Sequence, residues 1–125
     1  MKQFQYNSAA DTLFVLFTEN QQALGFEIHP QIFLRLTREN NSLISVTFMN
    51  FTYLRSQKVI HIPLKIWIPD YRRLILSKLL QPPLNELLLT DSSLSAANKK
   101  NPGQIRMQIA SINIDSSDAH NLIRF

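Results

Sequence analysis

The sequence predicts an α+β fold: an antiparallel β-sheet of about five strands, meander first, packed with one or two helices. Three observations carry that expectation. Apolar and polar residues alternate through much of residues 2–68, the period of a half-buried strand. After Pro69 the apolar spacing becomes helical, and a further alternating segment follows at residues 105–114. The chain has 125 residues, 45% of them hydrophobic and 18% charged, enough apolar surface to offset the entropy of ordering one domain. One domain over residues 1–125 is expected, with the polar stretch 90–103 as a mobile loop within it.

Along the chain, Leu13, Val15 and Phe17 alternate with Phe14 and Leu16, so a strand there is apolar on both faces and central in a sheet. From Phe26 to Leu36 one phase holds Phe26, Ile28, Ile32, Leu34 and Leu36, a period-two run in which Pro30 demands a break, a bulge or an edge. Arg38 to Ser42 supplies turn residues, with Asn able to take the left-handed conformation. The returning arm carries Ile44, Val46 and Phe48 and continues into Phe51 and Tyr53. Val59 to Ile68 repeats the pattern, and Pro63 places that strand at an edge.

Asp70 is the expected N-cap of a helix carrying Leu74, Ile75 and Leu79 inward, with Arg72, Arg73 and Lys78 towards the outside. Pro82 and Pro83 end it. Leu84 to Leu89 fits either a helical turn or a buried strand.

Composition excludes several chemistries. Without cysteine there is no disulfide framework, thiolate zinc site or cysteine nucleophile. Gly25 and Gly103 are the only glycines, so no glycine-rich phosphate cradle exists, and no serine sits in a Gly-x-Ser-x-Gly elbow. His29, His61 and His120 lack metal-ligand spacing, and no cofactor site is expected. No apolar run could span a bilayer, which with the polar start of the chain predicts a cytoplasmic protein without membrane contact.

Charge divides unevenly. Residues 1–50 hold three Lys or Arg against four Asp or Glu, whereas residues 51–125 hold ten against five. Lys65, Arg72, Arg73 and Lys78, interleaved with Trp67 and Tyr71, suit phosphate contact and base stacking, although an amphipathic helix also needs basic residues on its wet side. Glu27 and His29 share a strand face, where a carboxylate could orient an imidazole; the alternative is a solvated face of the sheet.

The segment Tyr6-Asn7-Ser8-Ala9-Ala10-Asp11-Thr12-Leu13-Phe14-Val15 resembles the opening signature of a family of small bacterial domains, domain of unknown function 2283. The matching residues are Tyr6, Ala10, Asp11, Leu13, Phe14 and Val15, with Asn7 standing where Asp is usual. The resemblance covers residues 4–52, and Ser45-Val46-Thr47-Phe48 departs from the family's third strand. It implies a small antiparallel meander followed by a helix and no known chemistry, and it makes an antitoxin-like role beside a toxin-like partner conceivable. Read from the residues alone, Asp11 is a turn residue accepting backbone amides and Tyr6 a packed ring with a bonded hydroxyl.

Surplus apolar residues on the second sheet face argue for a partner, with a homodimer favoured. The leading expectation is a non-catalytic, self-associating or protein-binding domain. A nucleic-acid or regulatory binder using residues 65–78 comes second, and an enzyme at Glu27 and His29 third.

Overall fold

The structure is a computed structural model describing residues 3–19, 22–64, 67–90 and 104–111. The chain forms two compact units, Met1–Leu54 with Asn113–Phe125, and Arg55–Ile112. The fold is α+β, with a five-stranded antiparallel sheet, a separate three-stranded antiparallel sheet and one main helix. Among the described residues, no helix is long and apolar enough to cross a membrane.

The first unit holds β1 (Gln3–Asn7), β2 (Thr12–Leu16), β3 (Ala23–His29), β4 (Ile32–Thr37) and β5 (Leu43–Met49), in the order β1-β2-β5-β4-β3. β2 is internal, as its two apolar faces predict. The register aligns Tyr6, Leu13, Phe48 and Ile32 in one row and Phe4, Val15, Val46, Leu34 and Phe26 in the next. Leu13, Val15, Ile32, Leu34, Val46 and Phe48 are wholly buried, which defines the core face.

The long run from Phe26 to Leu36 is two strands, because the chain reverses at Pro30-Gln31 and pairs His29 with Ile32. Proline's fixed φ and missing N–H suit a turn and not a ladder. The β4–β5 reversal falls where expected, with Asn41 at φ 59° and the Ser42 amide donating to Thr37 Oγ1 at 3.0 Å.

β5 stops at Met49 and does not continue into Phe51 and Tyr53. Asn50 adopts φ 53°, which turns the chain into α1 (Phe51–Ser56). Phe51 is buried, its ring centroid 6.0 Å from that of Phe48 and 6.2 Å from that of Tyr6.

One polar side chain in this sheet is misplaced energetically. Ser45 is 1% exposed, and its Oγ has no hydrogen-bond partner among the described residues. An unsatisfied buried hydroxyl costs about 1–3 kcal/mol. Ser45→Ala is therefore expected to raise stability by about 1 kcal/mol, read as a higher urea midpoint at unchanged slope; a lower midpoint contradicts the assignment.

The second unit contains β6 (Ile60–Pro63), α2 (Pro69–Leu79), a 3₁₀ turn (Leu84–Glu86), β7 (Leu88–Thr90) and β8 (Gln104–Ile109). Its sheet order is β6-β8-β7, so Pro63 lies on an edge strand as expected. Ile60, Ile62, Leu88, Ile105, Met107 and Ile109 are buried on one face. The segment 84–89 resolves the sequence ambiguity by being both a turn of helix and a strand.

Three boundaries differ from the sequence reading. β6 has four residues, not the ten of Val59 to Ile68, since the chain leaves the ladder after Pro63; residues 65 and 66 lie outside the described residues. The last strand starts at Gln104 and ends at Ile109, with Ala110 and Ser111 outside it. It is the centre of the second sheet and not a fifth strand of the first. Asp70 is not the N-cap of α2: Ile68 takes that position and Pro69 begins the helix. Proline at the first helical position loses nothing, because that amide has no partner within the helix. Of the expected loop 90–103, Thr90 closes β7 and 91–103 lies outside the described residues.

Candidate functional site

The signature residues at the amino end converge on one carboxylate. Asn7 Oδ1 accepts from the Ala10 amide at 3.1 Å, forming a tight turn that delivers Asp11 at φ 51°. Asp tolerates this left-handed region better than most residues. Asp11 Oδ1 accepts from the Tyr6 hydroxyl at 2.6 Å, and Oδ2 from Thr52 Oγ1 at 2.6 Å. The Thr52 amide lies 3.2 Å from each oxygen, and the Asp11 carbonyl accepts from the Phe51 amide at 2.9 Å.

Asp11 thus caps α1 from a turn 41 residues earlier in the chain. Its amide donors belong to that helix and not to its own turn. Leu13 is in the core, Phe14 on the opposite face of the sheet, and Ala10 exposed in the turn. These contacts hold a structure together; a carboxylate so occupied is badly placed to take a proton from a substrate. Thr52 is not legible in the sequence, where the strand pattern of Ile44, Val46 and Phe48 runs on through Phe51 and Tyr53.

Glu27 and His29 share the outer face of β3, but a register shift falls between them, and no hydrogen bond joins them. His29 Nδ1 accepts from the Gln31 amide at 3.1 Å, closing the Pro30 turn, and burial pushes the imidazole pKa down. A neutral ring committed to its own turn serves the hairpin. Among the described residues no group of three or more His, Asp or Glu could hold a metal ion.

The 65–78 residues separate. Lys65 lies outside the described residues. Arg72 is half-buried, donating from Nε to the Leu64 carbonyl at 3.2 Å and from Nη2 to the Trp67 carbonyl at 3.1 Å. It fastens the segment ahead of α2, where the sequence reading put it towards the outside. Arg73 pairs with Asp70 on the exposed side, an arrangement contributing little to stability. Lys78 is half-buried in the last turn, where a cation complements the helix dipole.

Two surfaces remain that the sequence did not delimit. On the outer face of the five-stranded sheet, the register aligns Gln5, Phe14, Thr47, Phe33 and Glu27 in a row. Phe14, Thr47 and Phe33 are half-buried there, and Leu16 and Met49 lie on flanking rows, Met49 being 40% exposed. Gly25 completes this face: a Cβ on it would stand 3.0 Å from Phe33 Cε2 and Cζ, so its absence lets the ring lie over β3.

In the second unit, Arg55, Lys58 and His61 recur every third residue into β6, and all are exposed. His61 pairs in register with Arg106 of β8. No family model, curated protein or solved structure matches the chain.

Proposed function

We propose that the protein is a non-catalytic domain that self-associates through the outer face of its five-stranded sheet. The observation that carries this reading is the aromatic row of Phe14 and Phe33 beside Leu16 and Met49, with Gly25 shaped to receive the Phe33 ring. A face turned only to water alternates to polar residues; aromatics at its centre gain by burial against a second sheet. A second copy presents the same face, and pairing around a two-fold axis buries both at once. The commitment of Asp11, Tyr6 and His29 to internal bonds supports a binding role over catalysis.

The test is mass by light scattering on a sizing column across a concentration series. Wild type is expected to pass from monomer to dimer with a micromolar dissociation constant. Phe33→Glu should weaken association about 30-fold or more, the effect of losing an aromatic anchor of about 2 kcal/mol. Gly25→Ala provides a gentler variant, because Gly25 has no positive φ and the added methyl displaces only the Phe33 ring. A monomer at every concentration, or dimers indifferent to both substitutions, overturns the proposal.

A further inference from the structure

Among Asp, Glu, Lys and Arg, the five strands of the first unit contain only Glu27 of β3 and Arg35 of β4. Both lie on the outer face, in phase with Phe33. The register sets Glu27 opposite Phe33 and Arg35 opposite Gly25, so the two charges occupy one diagonal of a block of four residues. Side chains on such a diagonal start about 7–8 Å apart, within reach of each other when long. Yet among the described residues neither Glu27 nor Arg35 has a hydrogen bond or an ion pair.

Phe33 accounts for their separation. Its ring lies over Gly25, with Cε2 and Cζ 3.0 Å from the place a Cβ there would take. The path from Phe33 to Gly25 is the other diagonal of the same block. The ring therefore stands between the two charges, with exposed Glu27 on one side and half-buried Arg35 on the other. A guanidinium partly withdrawn from water gains from a carboxylate beside it, and the chain's own strand carboxylate is held off.

We propose that the two-fold axis of the dimer runs along the Phe33 ring, so that Glu27 of each copy pairs with Arg35 of the other. This inference rests on the self-association proposed above and adds to it the register of the partner. Rotation about an in-plane axis along the Phe33–Gly25 diagonal exchanges the two sides of the ring. It lays Phe33 on Phe33 and brings a carboxylate over a guanidinium twice, the reciprocal pattern of an isologous contact. An axis along the other diagonal would set like charge on like, which is repulsive at both ends. The occupant this face fits is a second copy, because the face offers one charge of each sign and a two-fold matches both at once.

The experiment uses charge reversal read by light scattering on a sizing column. Arg35→Glu and Glu27→Arg should each weaken self-association about tenfold or more, since each opposes like charges at both ends of the interface. An equimolar mixture of the two variants should associate about as tightly as wild type. In that mixed dimer one chain is cationic at both positions and the other anionic at both, so every contact is between opposite charges. The variant carrying both reversals should also recover, and recovery in the mixture cannot come from a chain that fails to fold. A wild-type dimer that Phe33→Glu weakens but neither charge reversal affects overturns the pairing and leaves self-association through this face standing. So does a mixture no tighter than its separate components. A wild-type chain that stays monomeric at every concentration overturns both readings.

Discussion

Asp11→Ala is expected to lower the stability of the fold by about 3 kcal/mol. Three effects add. The partly buried Tyr6 hydroxyl loses its 2.6 Å acceptor, and a hydrogen bond to a charged group is worth about 1.5–3 kcal/mol where water is excluded. α1 loses the cap at Thr52, which contributes about 1 kcal/mol for typical caps. Alanine must also adopt the left-handed backbone that Asp11 holds at φ 51°, at about 1 kcal/mol or more. Because the Thr52 bonds are exposed, their share lies at the low end.

Related substitutions separate these contributions. Asp11→Asn keeps the backbone tolerance and an acceptor oxygen and should cost about 1 kcal/mol. Asp11→Gly removes every side-chain bond but relieves the backbone, and should fall between Asn and Ala. A double-mutant cycle with Tyr6→Phe should give a coupling of about 1–2 kcal/mol. Urea midpoints at constant slope provide the readout; an Ala variant no less stable than the Asn variant would show that the bonds around this carboxylate do not hold the first unit together.

The same residues show how far the sequence can be read. Strand alternation and the turn at Asn41 were legible because each depends on a few neighbouring residues: period two on the core face, and one residue tolerant of positive φ. Pro30 announced an interruption, but the choice between an edge strand and a reversal depended on whether β4 could pair on both sides, which is not a local matter. Asn50 was harder. A single residue at φ 53° changes a strand into a helix, and the interactions that hold it there are distant in the chain: the Asp11 carboxylate on Thr52 and the burial of Phe51 against Tyr6 and Phe48.

Site residues divide in the same way. The bonded hydroxyl of Tyr6 and the accepting carboxylate of Asp11 could be expected from their types. The donor on Thr52, the notch at Gly25 beneath Phe33, and the pairing of His61 with Arg106 depend on register across the sheets. Around α2 the cations stand close together in sequence, which makes that segment look like a basic region. Arg72 there serves two backbone carbonyls instead.

Phe51→Ala is expected to cost about 3–5 kcal/mol, whereas Tyr53→Ala should stay within about 1 kcal/mol. The contrast follows from the path of the chain after Met49. Had β5 continued, residues 51 and 53 would project to one face of the sheet and truncation of either would be felt alike. In α1 they are about 200° apart: Phe51 is wholly buried against Phe48 and Tyr6, while Tyr53 is 55% exposed. Phe51 also begins the helix, where residue propensity matters least, so its loss reports packing and the cavity left between two rings. Phe51→Leu, which fills most of that volume, should recover more than half of the loss. Because Phe48 and Phe51 share the same space, Phe48→Ala and Phe51→Ala together should cost less than the sum of the two. Equal effects at Phe51 and Tyr53 would restore the extended strand and remove the helix that Asp11 caps.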